Sequence, residues 1–381
     1  GGTVCSMGGQ GNRYGAIAIE SDRVIAVGND SDVALLIGET TKVIDLDGRV
    51  IFPGFIDTHI HTMDALPLLN GVMLSPGQSA DEVLAAIKQH AQTFPDQNPV
   101  LGSGFLARAF GIDGPTAAQL DSVVPDRPAL IIDEGGHTAW ANSLALRAAD
   151  ITAVTPDPVP GAHFFQRDEL GNPTGWLVEG AAIDPVTDAL GVVSEQTLRD
   201  RAPAFFNDMA AVGLTAAFDA GMIDTAELGM TVAQELAETN QLPLRLVGSL
   251  YVNKPKDLET AHARLSALRD TYNHELFSIT TLKLSLDGTV EAKTAVTLDP
   301  YIAPEGHEAA PLLPDEQVFN AVYEAYSLGF DLHLHAIGDG AVRTALDAIE
   351  AGQQAHPTAD VRATICHIEV VDAADIERFG E

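Results

Sequence analysis

Two histidines separated by one residue stand at the end of a short apolar run, in the segment FPGFIDTHIHT. Side chains alternate along a β-strand, so His59 and His61 point to one side and both imidazoles can reach one ion at about 2.0–2.1 Å. Asp57 and Asp64 flank the pair and are expected to orient the rings through hydrogen bonds. This spacing indicates binding of a divalent metal ion, although two ordinary histidines would give the same pattern.

Two further apolar runs carry histidines near their ends, DLHLHAIGDGA with His333 and His335, and RATICHIEVV with His367. His333 and His335 share one face of their strand, and the Gly-Asp pair that soon follows favours His335 as the last residue before the turn. Three strand-end sites among 12 histidines are hard to attribute to chance. Active sites of α/β barrels lie at this end of the strands, so the pattern strengthens the metal hypothesis.

Lys283 lies inside the apolar strand TLKLSLDGT. A buried lysine is costly unless it is neutralised, paired or chemically altered. One interpretation is a lysine that reaches solvent from the strand end or pairs with Asp287. The other is an amine that has reacted with carbon dioxide to give a carbamate, which bridges two metal ions as a carboxylate would.

The elements that position these side chains follow two patterns. Before Pro53, the alternating runs AIAIE, RVIAVG, TKVIDLDG and RVIFPG predict hairpins of a small β-domain. After Pro53, short apolar strands alternate with amphipathic helices, with Ser79 and Thr225 as helix caps. Residues 151–174, rich in Pro, Gly and Asp, predict a long functional loop. We predict strands at 55–61, 100–105, 129–134, 214–219, 244–252, 280–286, 332–336 and 362–368, and helices at 81–93, 195–212, 225–239, 256–270, 314–328 and 340–355.

The composition limits the possible partners. A formal charge of -33, from 54 acidic and 21 basic residues, repels nucleic acid and anionic membranes. No apolar run approaches the ~18 residues of a membrane span, and no signal peptide is recognisable. Cys5 and Cys366 are too few for a disulfide framework or a cysteine-based zinc site, which favours a cytoplasmic protein. We expect the chain to continue beyond both ends of this sequence.

The order of HxH, strand lysine, histidine and histidine resembles the amidohydrolase superfamily. The segments LDSVVPDRPALIIDEGGHTAWANS, GNPTGWLVEGA, LKLSLDGT and HAIGDGA resemble its YtcJ-like branch (amidohydrolase family 3), which includes N-substituted formamide deformylases. The resemblance runs over nearly the whole chain. It implies an α/β fold: a distorted (β/α)8 TIM barrel lacking its C-terminal strands here, a small β-sandwich-like domain, and an insertion after the first barrel strand. Residues 1–52 would belong to the small domain and residues 53–381 to the barrel, with the insertion at about 66–195.

Position by position, the resemblance implies a set of metal ligands. His59 and His61 would lie on the first barrel strand, Lys283 on the fourth, and His335 and His367 on the fifth and sixth. They would hold one or two divalent ions, zinc by ligand preference, bridged by carbamylated Lys283. Lys283 and His335 would also take part in catalysis.

Within the insertion, the resemblance implies that His137, Trp140 and Asn142 line the substrate pocket. His137 would also be catalytic, stabilising the oxyanion. Glu179 in GWLVEGA would approach the metal centre as a ligand or behind the ligands, or else cap the helix that follows it.

The sequence departs from the family pattern at two places. Cys366 stands where the family usually has glutamate, just before the histidine of the sixth strand. The family's last ligand, an aspartate on the eighth strand that takes a proton from the metal-bound water, is expected beyond Glu381.

The expected reaction is hydrolysis of a non-peptide carbon–nitrogen bond in an amide, formamide or cyclic amide small molecule by metal-activated water. Deamination or ester hydrolysis on the same site is an alternative, although Lys283 disfavours deamination. A second alternative is a non-catalytic regulatory protein that keeps the barrel. A homodimer is our working expectation for the oligomeric state.

Overall fold

The N-terminal residues form two small sheets. The structure is a computed structural model, and it describes residues 1–8, 11–223, 225–302 and 306–380. One sheet has the order β2-β1-β5, and β3 and β4 form an antiparallel hairpin, as predicted. Within the described residues, the predicted strand in TKVIDLDG does not form: residues 41–48 lie in no strand, and Val43 is exposed. The elements are β1 (Thr3–Cys5), β2 (Arg13–Tyr14), β3 (Ala16–Glu20), β4 (Arg23–Gly28), α1 (Asp30–Val33) and β5 (Val50–Ile51).

The chain then forms β6 and enters an insertion with its own sheet. Within the described residues this sheet has the order β11-β12-β10-β9-β8-β7 and mixes parallel and antiparallel pairs. Residues 151–174 are not a loop throughout, because β11 and the start of β12 lie within them. Helix α6 was not predicted. The elements are β6 (Phe55–Ile60), α2 (Thr62–Ala65), β7 (Val72–Met73), α3 (Ala80–Thr93), β8 (Val100–Phe105), α4 (Ala117–Asp121), β9 (Ala129–Asp133), β10 (Thr138–Ala141), α5 (Ser143–Ala148), β11 (Phe164–Arg167), β12 (Pro173–Val178), α6 (Gly180–Leu190) and α7 (Glu195–Ala211).

The rest of the chain alternates strands and helices around a curled parallel half-barrel. Its sheet has the order β17-β16-β15-β14-β13-β6, and every neighbouring pair is parallel. Leu246, Leu282 and Leu334 are fully or almost fully buried between this sheet and the helices that connect its strands. The elements are β13 (Leu214–Asp219), α8 (Ala226–Glu238), β14 (Arg245–Val252), α9 (Pro255–Thr271), β15 (Phe277–Ser285), α10 (Asp315–Leu328), β16 (Asp331–Ala336), α11 (Asp339–Ala355) and β17 (Ala363–His367).

Two predicted helix caps have different outcomes. Ser79 caps α3 in a capping box with Glu82, as predicted. Thr225 does not cap α8, because its hydroxyl donates to Asp64 instead. In the part of the chain that is described, no helix combines the length and apolar character required to cross a bilayer.

Candidate metal centre

Five histidine rings gather at the carboxyl ends of the parallel strands. The His59 ring lies 5.5 Å from that of His61, 5.0 Å from that of His333 and 4.9 Å from that of His367, centroid to centroid. The ring of His335 lies 4.5 Å from that of His367. The structure therefore brings together the four histidines predicted as ligands and adds His333.

Strand register explains why these side chains meet. In neighbouring parallel strands, Lys283 is paired with His333, and His335 with Cys366. Paired residues point to the same face of a sheet, and here that face is the inside of the half-barrel. Three neighbouring strands thus place nitrogen and sulfur atoms side by side.

Four of these rings, those of His59, His333, His335 and His367, favour the neutral form. Burial, with smaller contributions from nearby positive groups, lowers the pKa of His59 and His333 to about 3 and that of His367 to about 4. The same causes hold the pKa of His335 well below its usual value. Neutral imidazoles that lie close together can share one cation through their lone pairs, whereas protonating them would place like charges side by side. The donor set therefore fits a divalent metal ion.

A backbone carbonyl orients His61. Its Nδ1 donates to the Gly221 oxygen at 2.7 Å, which leaves Nε2 free to act as a ligand. Asp219 holds this turn in place, since one carboxylate oxygen accepts from the Gly221 amide at 3.0 Å and the other from the Thr62 amide at 2.9 Å.

The two aspartates expected to orient the rings have other partners. Asp57 accepts from the backbone amide of His59 rather than from its ring. Asp64 accepts from the amides of Ile223 and Thr225, and so joins the first and second strand ends of the half-barrel. Both carboxylates hold the backbone at the strand ends, and Asp64 also lies close enough to His61 for an electrostatic interaction.

Lys283 is 1% exposed. Burial lowers the pKa of its amine, and Nζ donates to the Cys366 sulfur at 3.5 Å. The alternative pairing with Asp287 does not form, because that carboxylate accepts from the amides of Ile337 and Gly338. Lys283 thus faces the histidines as a buried amine.

The insertion supplies a charged pair to the same region. His137 Nδ1 lies 2.8 Å from Glu179 Oε2, and the His137 ring lies 5.1 Å from the His335 ring. Thr294 donates to the other Glu179 oxygen at 2.8 Å. Burial opposes protonation of His137, but the charge and hydrogen bond of Glu179 outweigh it and raise its pKa to about 9. His137 is therefore an imidazolium beside neutral imidazoles.

Glu179 does not cap α6 with its side chain. Its backbone has a φ of 66°, and its amide donates to the His137 carbonyl at 2.7 Å. A non-glycine residue in this conformation costs roughly 1–3 kcal/mol. The backbone and the carboxylate of Glu179 therefore both hold His137.

Trp140 and Asn142 lie in the core of the insertion instead of among the histidines. Trp140 is fully buried against Phe105 and Phe110, and its indole donates to the Thr116 carbonyl. Asn142 caps α5. Both side chains are therefore occupied by packing and hydrogen bonding within the insertion, and the expectation that they line the pocket is wrong.

A cavity of about 350 Å³ lies between α6 and the ends of β13 and β14. Its wall includes Met222 and Tyr251, and Tyr251 is paired in register with Lys283. Asp184 and Lys254, also in the wall, form an ion pair at 2.6 Å. Its wall is formed by α6, α8, α9 and the end of β14, and none of the five clustered histidines is among its lining residues in the described part of the chain.

Sequence reasoning missed three residues of this region. His333 was visible as the alternate of His335, and Asp219 as a charged residue at the end of an apolar strand. Strand alternation did not place Cys366 in the site, because the residue directly before His367 is expected on the opposite face of the sheet.

The fold and the site together define a class, the α/β barrel-like proteins that collect metal-binding side chains at strand ends. The amidohydrolase family matches residues 42–381. The chain belongs to this family, which confirms the resemblance found in its motifs.

Two proteins of known name and one solved structure are similar to this chain. The chain is 31% identical over 369 residues to the exoenzymes regulatory protein AepA of Pectobacterium carotovorum subsp. carotovorum, covering 96% of this chain and 78% of that protein. It is 28% identical over 376 residues to the N-substituted formamide deformylase of Arthrobacter pascens, covering 96% and 67%. The fold matches the structure of an uncharacterized metal-dependent hydrolase from Pyrococcus horikoshii with a TM-score of 0.70 and 21% identity, over 99% of this chain and 71% of that one.

Proposed function

We propose that the protein is a metal-dependent hydrolase that cleaves a non-peptide carbon–nitrogen bond in a small amide, formamide or cyclic amide. The observation that carries this proposal is the convergence of imidazoles from β6, β16 and β17 around one space, with the ring of His335 buried, that of His59 half-buried and that of His367 more exposed. His59 Nδ1 and His333 Nε2 lie 3.0 Å apart and hydrogen-bond to each other, and the crowding of the other rings beside this pair supports a shared metal ion.

His59, His61, His335 and His367 would hold the metal, with Lys283 joining them once it is carbamylated. Imidazole ligands favour zinc. The bound ion would lower the pKa of water to about 7 and polarise a carbonyl oxygen. We further propose that the half-barrel is part of a distorted (β/α)8 barrel, the architecture in which strand-end sites of this kind occur.

His137 would act on the substrate oxygen. Its Nδ1–H is engaged by Glu179, so Nε2–H remains for an oxygen on which negative charge develops during the attack. Glu179 keeps the ring protonated and fixed in direction, and Thr294 fixes Glu179. An imidazolium that is already in position when the substrate binds would stabilise the negative charge on the substrate oxygen without reorganising during the reaction.

Formamides are included because of the similarity to the Arthrobacter deformylase.

The test is a hydrolysis screen on the intact, zinc-loaded protein. N-substituted formamides, N-acyl amino acids and cyclic amides would be compared, with product amine as the readout. We expect turnover of at least one class, its loss when a chelator removes zinc, and its return when zinc is added. Full activity in the zinc-free protein would contradict the proposal.

A regulatory role without turnover is the second candidate, because the similarity to the regulatory protein AepA extends over 96% of this chain. The two candidates differ in their response to the loss of His137. A hydrolase loses turnover when this ring is removed, whereas a purely regulatory metal protein shows no turnover in either form.

A further inference from the structure

We propose that the sulfur of Cys366 is itself a ligand of the metal centre, which makes the centre a mixed cysteine–histidine site. The ligand atoms of His59, Cys366 and His367 all lie within 4.8 Å of one another. Three such atoms can bind one ion after small side-chain movements, since zinc–sulfur and zinc–nitrogen bonds are about 2.3 and 2.0–2.1 Å long. This inference rests on the metal centre proposed above.

The backbone of β17 departs from strand geometry in a way that makes this possible. Cys366, in register with His335, points into the half-barrel. Regular alternation would turn the next residue, His367, away from that face. Instead His367 and Ile368 have φ values of 75° and 51°, in the left-handed region. For a β-branched residue such as Ile368 this conformation is a genuine outlier.

That backbone brings two consecutive side chains to one place. The His367 ring contacts those of His59 and His335, while the Cys366 sulfur remains on the inner face. Left-handed non-glycine residues are strained and persist at functional sites where the surrounding structure requires them. Binding of one ion by two adjacent residues requires such a backbone.

A lysine side chain contacts the sulfur, and a bound metal ion would displace the thiol proton. Lys283 Nζ donates to the sulfur at 3.5 Å, and among the described residues the lysine has no carboxylate within ion-pair distance. The N–H group can donate to sulfur whether Lys283 is a free amine or a carbamate. A thiolate is a soft ligand that binds zinc and cobalt well. Cys366 thus adds a negative charge to a centre otherwise built from neutral imidazoles.

Cobalt substitution tests the assignment. The intact protein would be stripped of metal and loaded with Co²⁺, with bound cobalt measured by equilibrium dialysis. We expect a near-ultraviolet thiolate-to-cobalt charge-transfer band that disappears in Cys366→Ser and persists in Cys5→Ser, the matched control at the other cysteine. Bound cobalt without this band, or a band that survives Cys366→Ser, overturns the inference and leaves the metal centre standing. No bound cobalt at all overturns the proposed function as well.

Thiol protection decides the matter even when Cys366→Ser fails to fold. Cys5→Ser leaves Cys366 as the single thiol, because the sequence has 2 cysteines. We expect this thiol to react with a disulfide reagent in the metal-free protein and to be protected once zinc is bound, with denatured protein giving the total. Equal reactivity with and without bound zinc overturns the assignment.

Discussion

The half-barrel sheet and the sheet of the insertion use buried polar side chains in opposite ways. In the half-barrel, side chains at the strand ends are partnered by one another, His59 by His333 and Cys366 by Lys283. In the insertion, Asn142 accepts from the amides of Ala129 and Ala145 and donates to nearby carbonyls, so its polar atoms are satisfied internally.

This difference separates a candidate site from a structural core. A buried polar group with complete hydrogen bonding stabilises the fold around it. A cluster of metal-ligating atoms without hydrogen-bond donors is costly, and a bound ion removes that cost. His137 and Glu179 extend from the insertion towards the histidines, and they form a bonded pair.

Loss of His59 is expected to have the largest effect, because its ring lies between those of His61, His333 and His367. In His59→Ala we expect zinc affinity to fall by more than about 100-fold, since removing even a group behind the ligands costs about 10–100-fold. Metal analysis after dialysis against buffered zinc measures this. His90→Gln, on the outer helix α3, is the control and keeps wild-type zinc. Undiminished zinc in His59→Ala would show that the half-barrel does not use this ring.

Loss of His137 tests the contribution of the insertion to chemistry. In His137→Ala we expect kcat to fall by about 100-fold with zinc content unchanged, the usual effect of removing one donor to a developing oxyanion. Glu179→Gln should lower kcat in the same direction and by less, because the ring remains. Steady-state kinetics with parallel zinc analysis measures both. Loss of zinc in either variant would assign these residues to metal binding instead.

Trp140→Ala should affect stability alone. Removing a fully buried indole costs about 3–5 kcal/mol in the free energy of unfolding. Urea unfolding followed by circular dichroism measures this cost, and Trp140→Phe should show a smaller one. Zinc affinity of the folded variant should equal that of the wild type. A specific drop in substrate affinity without loss of stability would show that Trp140 lines the substrate pocket.

Asp133→Asn is expected to have the smallest effect and to depend on pH. Burial raises the pKa of Asp133 to about 6, above its ordinary value, so the folded state holds a proton that the unfolded state loses. Wild-type stability therefore falls as pH rises from about 4 to 6, while the neutral amide avoids this loss. We expect Asp133→Asn to be about 1–3 kcal/mol more stable than the wild type at pH 7.

At pH 4 this advantage should disappear, because Asp133 is then protonated in the folded wild type. Urea unfolding of both proteins at the two pH values measures the difference, and the Thr138 amide that donates to Asp133 can donate equally to asparagine. A stability difference that does not change with pH would show that Asp133 is not buried as an acid.

The strands of the half-barrel were predictable within a few residues, because each is a short apolar run and most alternate with amphipathic helices. The insertion was harder to predict. Helix α6 begins with glycine and contains Pro185, which conceals its periodicity. Strands β11 and β12 pair with each other across a Pro- and Gly-rich segment, and that pairing is not visible in local patterns.

The site was predictable where alternation holds and unpredictable where it fails. His59, His61 and His335 follow from strand periodicity, whereas Cys366 depends on the left-handed turn at His367. The pair of His137 and Glu179 joins residues separated by 42 positions, and only the folded sheet brings them together.

The most direct measurement of the central claim is an anomalous diffraction map collected at the zinc absorption edge on crystals of the zinc-loaded protein. The account predicts a peak among the side chains of His59, His61, His335 and His367. A map without a peak at this position, from crystals that contain one zinc or more per chain, would contradict it.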